Sequence, residues 1–282
     1  MKKVRKMLAV CMVFVMLVGC SKSSGESEKD KSENQHQSNQ NQEEQNGTKD
    51  NNTDNNPVSG QETVPEKPPE GDLAEDIILA LDPGHGGVFG GASYDGRNEK
   101  DLTLIVANYV KEYLEENYDG VQIVFTRTED VALSKDVKED LELRAQIAKD
   151  ANADALISLH FNASEEHSQS GSMVFISHRD NVTTVAKLLA ESILTELEGL
   201  GLKNHGTKTR NSNDMFDEQG KPLDYYAINR HCANRDIPGI IVEHCFMDHS
   251  NDKGYIDSEE DLKALAIADA EGIAKFYGLI KK

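Results

Sequence analysis

The chain is short of positive charge: its 282 residues hold 30 Lys and Arg against 50 Asp and Glu, a formal net charge of −20. That excludes nucleic acid as a partner, since binding it requires a basic footprint, and it argues against electrostatic adhesion to anionic polymers. Long apolar runs are also missing. The run from Met7 to Val18 falls short of the roughly 20 residues of a comfortable membrane span. Cysteine is scarce, with four in all, and no CxxC pair is present, which excludes the usual sulfur-ligated structural zinc. Gly86-Gly87 and Gly90-Gly91 are not followed by Gly-Lys-Ser/Thr, so they do not read as a phosphate loop. No internal repeat is visible, nor a second folded segment that could serve as a separate binding module.

What is present divides into three parts. Lys2, Lys3, Arg5 and Lys6 followed by the apolar run read as a secretory signal over residues 1–19. It ends in Leu17-Val18-Gly19-Cys20, which resembles the bacterial lipobox; the resemblance implies cleavage before Cys20 and attachment of diacylglycerol to its sulfur, hence a membrane partner through lipid. An uncleaved anchor, or ordinary secretion with a chance cysteine, are the alternatives. Without residues 1–19 the net charge is near −24. Residues 20–75 are Asn, Gln, Ser, Glu and Lys with almost no large apolar residue, a composition that cannot offset the entropy of ordering and is expected to be a disordered tether. Only Val64 to Pro69 should be locally stiff, and a flexible coil of roughly 55 residues reaches about 40 Å. The segment reads either as a working tether or as a spacer of no tuned length. With Cys11 in the signal and Cys20 lipidated, Cys232 and Cys245 remain; they could pair in an oxidising compartment, but connectivity cannot be read from sequence.

Residues 76–282 are enough for one well-buried domain. Ile77–Leu81, Val121–Phe125, Ala155–Leu159, Met173–Ile176 and Gly239–Val242 read as strands. Helices are predicted over Asp101–Tyr118, Leu141–Ala151 and Val182–Leu200, and from a capping box at Ser258 to about Tyr277. Residues 203–236 read as polar and loop-like, with Tyr225-Tyr226-Ala227-Ile228 as a possible strand. Apolar strands alternating with helices predict an α/β domain whose mainly parallel sheet is covered on both faces.

In such sheets ligands bind beyond the carboxyl ends of the strands. His85 lies four residues after Leu81, His160 directly follows Leu159, Glu243 directly follows Val242, and Glu99 opens the helix after the first strand. All four are therefore expected at one edge. A single histidine there is ordinarily a polar surface residue; two histidines and two glutamates converging make a candidate site. His85, Glu99 and His160 supply two imidazoles and a carboxylate, the set with which a catalytic zinc keeps a position for water. Zinc lowers the pKa of water from above 15 to about 7, and Glu243 is then available as general base. The glycines of Gly84-His85-Gly86-Gly87 would let a substrate chain approach closely. His244 should point to the opposite face of its strand, and His167, His178, His205, His231 and His249 read mostly as solvated loop residues.

The segments Leu-Asp-Pro-Gly-His-Gly-Gly (81–87), Glu-Lys-Asp-Leu-Thr-Leu (99–104), Thr-Arg-Thr-Glu-Asp (126–130) and Ile-Ser-Leu-His-Phe-Asn-Ala (157–163) follow in order, as do Gly-Thr-Lys-Thr-Arg (206–210), Pro-Gly-Ile-Ile-Val-Glu (238–243) and Phe246. Over residues 76–280 the chain resembles the zinc-dependent N-acetylmuramoyl-L-alanine amidases of the type 3 cell-wall hydrolase class. The resemblance implies a twisted, mostly parallel sheet of about six strands flanked by helices. It implies hydrolysis of the amide between the lactyl group of N-acetylmuramic acid and L-alanine in peptidoglycan. It also places His85, Glu99 and His160 on the zinc-ligand positions and Glu243 on the catalytic glutamate. Two departures stand out: His244-Cys245 replaces the small apolar pair usual after the glutamate, and the segment from Lys203 to Pro238 is longer and more polar. Some relatives carry a long inserted helix that blocks the zinc until a protein partner removes it; stretches such as Asn162–Ser172 are too short for one, which predicts activity without an activator. A zinc carboxypeptidase-like peptidase acting on peptidoglycan, or a non-catalytic wall-binding module, are the alternative readings.

Overall fold

Five consecutive buried residues, Leu79 to Pro83, make the first strand a central one, because only a strand covered on both faces is buried at successive positions. In the computed structural model, residues 76–282 are described; the signal, Cys20 and the tether lie outside them. Six strands form the main sheet: β1 (Ile77–Pro83), β2 (Val121–Phe125), β3 (Ala155–Asn162), β4 (Ser172–Ile176), β5 (Asn204–Lys208) and β6 (Gly239–Phe246). Their spatial order is β2-β1-β3-β6-β4-β5. Five helices flank it: α1 (Glu99–Asn117), α2 (Val137–Asp150), α3 (Thr183–Gly199), α4 (Ala227–Ala233) and α5 (Glu259–Tyr277).

The two faces follow from the alternation of side chains along each strand. Leu79, Leu81, Ile157 and Val242 pack with Val106, Val110, Ile193 and Leu265 under α1, α3 and α5. Ala80, Leu156 and Ile241 face Ala145, Ala148, Ile228 and Cys232 of α2 and α4. This is the mostly parallel α/β sheet that the sequence predicts, and no helix among the described residues is long and apolar enough to cross a membrane. The chain leaves β1 through α1 to pair β2 on one side, then returns through α2 to pair β3 on the other. The carboxyl ends of β1 and β3 are thus a topological switch point, where open α/β sheets place their ligands.

Three features differ from the expected pattern. β4 runs antiparallel to β6 and carries β5 with it. The connection from β3 to β4, residues 163–171, contains no helix, and a parallel return needs a crossover of a dozen or more residues. The polar stretch 203–236 is ordered as β5, a two-stranded ribbon of Asn211–Phe216 and Pro222–Asp224, and α4. The run expected as a strand at Tyr225–Ile228 instead leads into α4, because Ile228 and Cys232, four residues apart, bury one helical face against the sheet; four apolar residues fit either period. The last helix follows its sequence signals: Ser258 and Asp261 form a reciprocal capping box, and Gly278 closes the helix in the left-handed conformation.

α3 and α5 touch at Gly272, where a Cβ would stand 2.6 Å from the Cα of Ile193. Gly272→Ala is expected to force the helices apart and cost about 1–3 kcal/mol, as overpacking does. Urea unfolding should show a lower midpoint at unchanged slope.

Candidate metal centre

Pro83 ends β1, and the chain then curls. His85, Gly86 and Gly87 all have positive φ (63°, 128° and 55°), and the turn is closed by reciprocal backbone bonds between Gly86 and Phe89. For His85 this left-handed backbone is a strained one. The chain continues through a small hairpin, Ser93–Asn98, to Glu99, the first residue of α1. His160 is the sixth residue of β3, and Glu243 stands beside it in register on β6. Both lie within the last turns of ladder rather than just past it, since β3 and β6 continue to Asn162 and Phe246.

These elements bring three of the four residues into contact. Glu99 Oε1 lies 3.1 Å from His85 Nε2 and 2.9 Å from His160 Nδ1, and the two imidazole rings meet edge to face at 4.8 Å. Glu99 is almost fully enclosed, while both histidines remain partly open to solvent. Its oxygens also accept from the backbone N–H groups of Ala92 (2.8 Å) and Phe161 (3.1 Å). Burial pushes its carboxyl upward, but His85 beside it and the hydrogen bonds of His160 and His85 more than offset this and hold it well below the usual carboxylate range. No side chain other than hydrogen fits at Gly84, where a Cβ would stand 2.4 Å from the His160 ring.

The donor set fits a divalent metal. One ligand atom each from His85, Glu99 and His160 falls within 4.8 Å of the others; around zinc, with bonds near 2.0–2.2 Å, such atoms sit about 3.4 Å apart. The hydrogen-bond network also selects the tautomer of His160. Ser158 Oγ donates to Asp82 Oδ2 at 2.6 Å, so its lone pair meets His160 Nε2–H at 3.1 Å. That leaves Nδ1, 2.9 Å from Glu99 Oε1, as the ring nitrogen that would ligate a metal shared with the carboxylate.

Beneath this centre lies a buried polar network that sequence reasoning missed. Asp82 accepts from Thr126, Ser158 and Arg144. Arg144 also bonds Asp140 Oδ2 at 2.6 Å, Pro83 O at 3.0 Å and His85 O at 2.7 Å. Arg127 reaches Pro83 O, Gly84 O and Lys100 O at 2.8, 2.9 and 2.7 Å. Burial raises the Asp82 carboxyl, yet Arg144 and the hydroxyls of Ser158 and Thr126 bring it below its ordinary value. Burial likewise opposes the charge of Arg144, and Asp82 and Asp140 restore and raise it. The signal was present in the sequence as an aspartate and a serine inside otherwise apolar strands and as an arginine among the alanines of α2.

His244 is fully buried and does face away from Glu243, toward α5, where Nε2 lies 2.7 Å from Asp269 Oδ2. Other histidines are more engaged than expected: His167 Nδ1 pairs with the buried Asp248 at 2.6 Å, His205 lies on β5 with Nε2 2.7 Å from Ser170 O, and His231 is in α4. Cys232 and Cys245 are both free and belong to cores on opposite faces of the sheet.

Comparison with known proteins agrees with this geometry. Residues 79–275 match a family model described as N-acetylmuramoyl-L-alanine amidase. The chain is 28% identical over 212 residues to an endolysin of Bacillus phage SPP1, covering 73% of this chain and 68% of that protein. It is 28% identical over 210 residues to the N-acetylmuramoyl-L-alanine amidase CwlM of Bacillus licheniformis, covering 73% and 70%. Among solved structures it resembles the N-acetylmuramoyl-L-alanine amidase AmiC2 of Nostoc punctiforme, with a TM-score of 0.57 and 27% identity over 73% of this chain and 99% of that one.

Arg144→Met would leave Asp82 and Asp140 buried without their cation, which is expected to cost roughly 3–5 kcal/mol in urea unfolding at neutral pH. Because the folded pKa of Asp82 is depressed, its contribution is present above the ordinary aspartate value of 3.8 and is lost as pH falls below it. The stability gap between wild type and variant should therefore narrow on acidification.

Proposed function

The chain belongs to the N-acetylmuramoyl-L-alanine amidases and is an enzyme of that class; we propose that it is zinc-dependent, with His85, Glu99 and His160 as ligands and Glu243 as general base. What supports this reading above all is the meeting of two imidazole nitrogens and one carboxylate at the sheet's switch point. The substrate is peptidoglycan, and the bond is the amide between the lactyl carbonyl of N-acetylmuramic acid and the nitrogen of L-alanine, cut for cell-wall remodelling or lysis.

Bound at this centre, zinc supplies a Lewis acid for the carbonyl and brings the pKa of water into the neutral range. The chain's own residues do the rest. Glu243, beside His160 in register, takes a proton from the attacking water as the carbon–oxygen bond forms. It returns that proton to the alanine nitrogen as the carbon–nitrogen bond breaks, leaving a free amine and a carboxylic acid, which gives its remaining proton to solvent. Glu99, held by two backbone N–H groups, stays ionised, and Ser158 keeps the His160 tautomer. With no helix inserted between β3 and β4, the centre works without an activating protein.

Purified protein incubated with sacculi is expected to release L-alanine amino termini and intact muramic acid, identified by mass spectrometry. A zinc chelator or Glu243→Gln should abolish release. Released terminal amino acids would move the reading to a peptidase, and inactivity of the zinc-loaded protein would mean that an activator is required.

Such a substrate places the enzyme outside the cytoplasm, and Leu17-Val18-Gly19-Cys20 supports a lipid on Cys20 as what holds it at the membrane's outer face. Cys20→Ser should eliminate incorporation of labelled fatty acid; continued labelling would refute the assignment.

A further inference from the structure

The ladder between β3 and β6 is interrupted at the residues that matter most. Glu243 pairs with His160, but the next pair is Phe246 with Asn162, so three steps on β6 match two on β3. This is a β-bulge, a device that re-aims a side chain and recurs beside active sites. His244 and Cys245, consecutive in sequence, both turn to the face covered by α5.

The bulge is held from two sides. Phe246 N donates to the buried Asp252 at 2.9 Å. His244, with no exposed surface, sends Nδ1 to the backbone carbonyl of His160 at 2.9 Å and Nε2 to Asp269 at 2.7 Å, while its ring stacks on Phe161. Both ring nitrogens are engaged, so the ring is pinned at one end to the β3 backbone and at the other to α5. Asp269 is itself fully buried, among Leu265, Ala266, Ala270 and Ile273 of α5. A buried polar pair is a poor source of stability, because apolar residues of similar volume commonly do as well or better. It does supply a fixed direction and length.

We propose that His244 and Asp269 are positioning residues: they form a buried hydrogen-bonded brace from α5 to the His160 carbonyl that sets the bulge and thereby the aim of Glu243 at the metal centre. The proposal rests on the reading of His160 and Glu243 given above. It assigns to the pair no contact with substrate.

The test compares wild type with His244→Leu/Asp269→Leu, which replaces the brace by apolar side chains, and with Asp269→Asn, which keeps an acceptor but no charge. Thermal unfolding, zinc affinity of the metal-free protein by chelator competition, and kcat and KM on a soluble muropeptide are measured for each. The double variant is expected to melt near or above wild type and to bind zinc within about threefold, with KM little changed and kcat down about 10- to 100-fold, the range found for outer supporting residues. Asp269→Asn should lose a smaller factor of kcat, about three- to tenfold, again at unchanged zinc affinity, and it decides the matter if the double variant does not fold. A kcat within twofold of wild type in either folded variant overturns the brace, as does a loss explained by zinc affinity alone. Glu243→Gln, run alongside, separates the two ideas: full activity there sinks the general-base reading, whereas an inactive Glu243→Gln beside fully active brace variants sinks only the brace.

Discussion

Two buried arginines and one buried aspartate hold the end of β1, and the geometry above them depends on that. Arg144 and Arg127 together capture the carbonyl oxygens of Pro83, Gly84 and His85, the three residues through which the chain turns from strand into the left-handed curl that presents His85. Backbone carbonyls at the end of a covered strand have no ladder partner and would be costly to bury; the guanidinium groups satisfy them in fixed directions. Asp82 compensates the charge of Arg144 and also anchors Ser158, which sets the tautomer of His160. One ionic cluster therefore determines both the backbone under one imidazole and the protonation of the other.

That cluster connects fold to chemistry through topology. β1 has β2 on one side and β3 on the other, so the loop after β1 and the end of β3 border the same crevice without any designed proximity in sequence. Glu99 enters from the start of α1, and β6 adds Glu243 at the position next to His160. Each residue stands on, or one short turn from, a strand or helix whose other face is in the core, which is how a site is held to a fraction of an ångström. The bulge in β6 and the brace under it extend the same logic to the carboxylate proposed as base.

Much of this could be read from the residues. Near-continuous apolar runs at β1, β3 and β6 announced central strands, the Ser258 capping box and Gly278 marked α5 at both ends, and the strand-end positions of His85, His160 and Glu243 placed them on one edge. Residues 203–236 could not be read, because a ribbon and a two-turn helix there are stabilised by contacts with distant elements, such as Ile228 and Cys232 against the sheet, and not by their own periodicity. The reversal of β4 depended on the absence of a crossover helix after β3. The register slip at His244 is invisible in sequence, since both alternation and bulge leave the same letters in the same order.

Outside residues 203–236, local physics thus settled what the main segments are: apolar period, cap, turn and donor type are properties of neighbours along the chain, and they named the four candidate residues. Tertiary structure decided how those residues meet. The 3.1 Å and 2.9 Å approaches to Glu99 and the contact of His244 with Asp269 each join residues separated by 14 or more positions. Their energies exist only once solvent is excluded between elements that the sequence keeps apart, and so no reading confined to neighbours along the chain contains them.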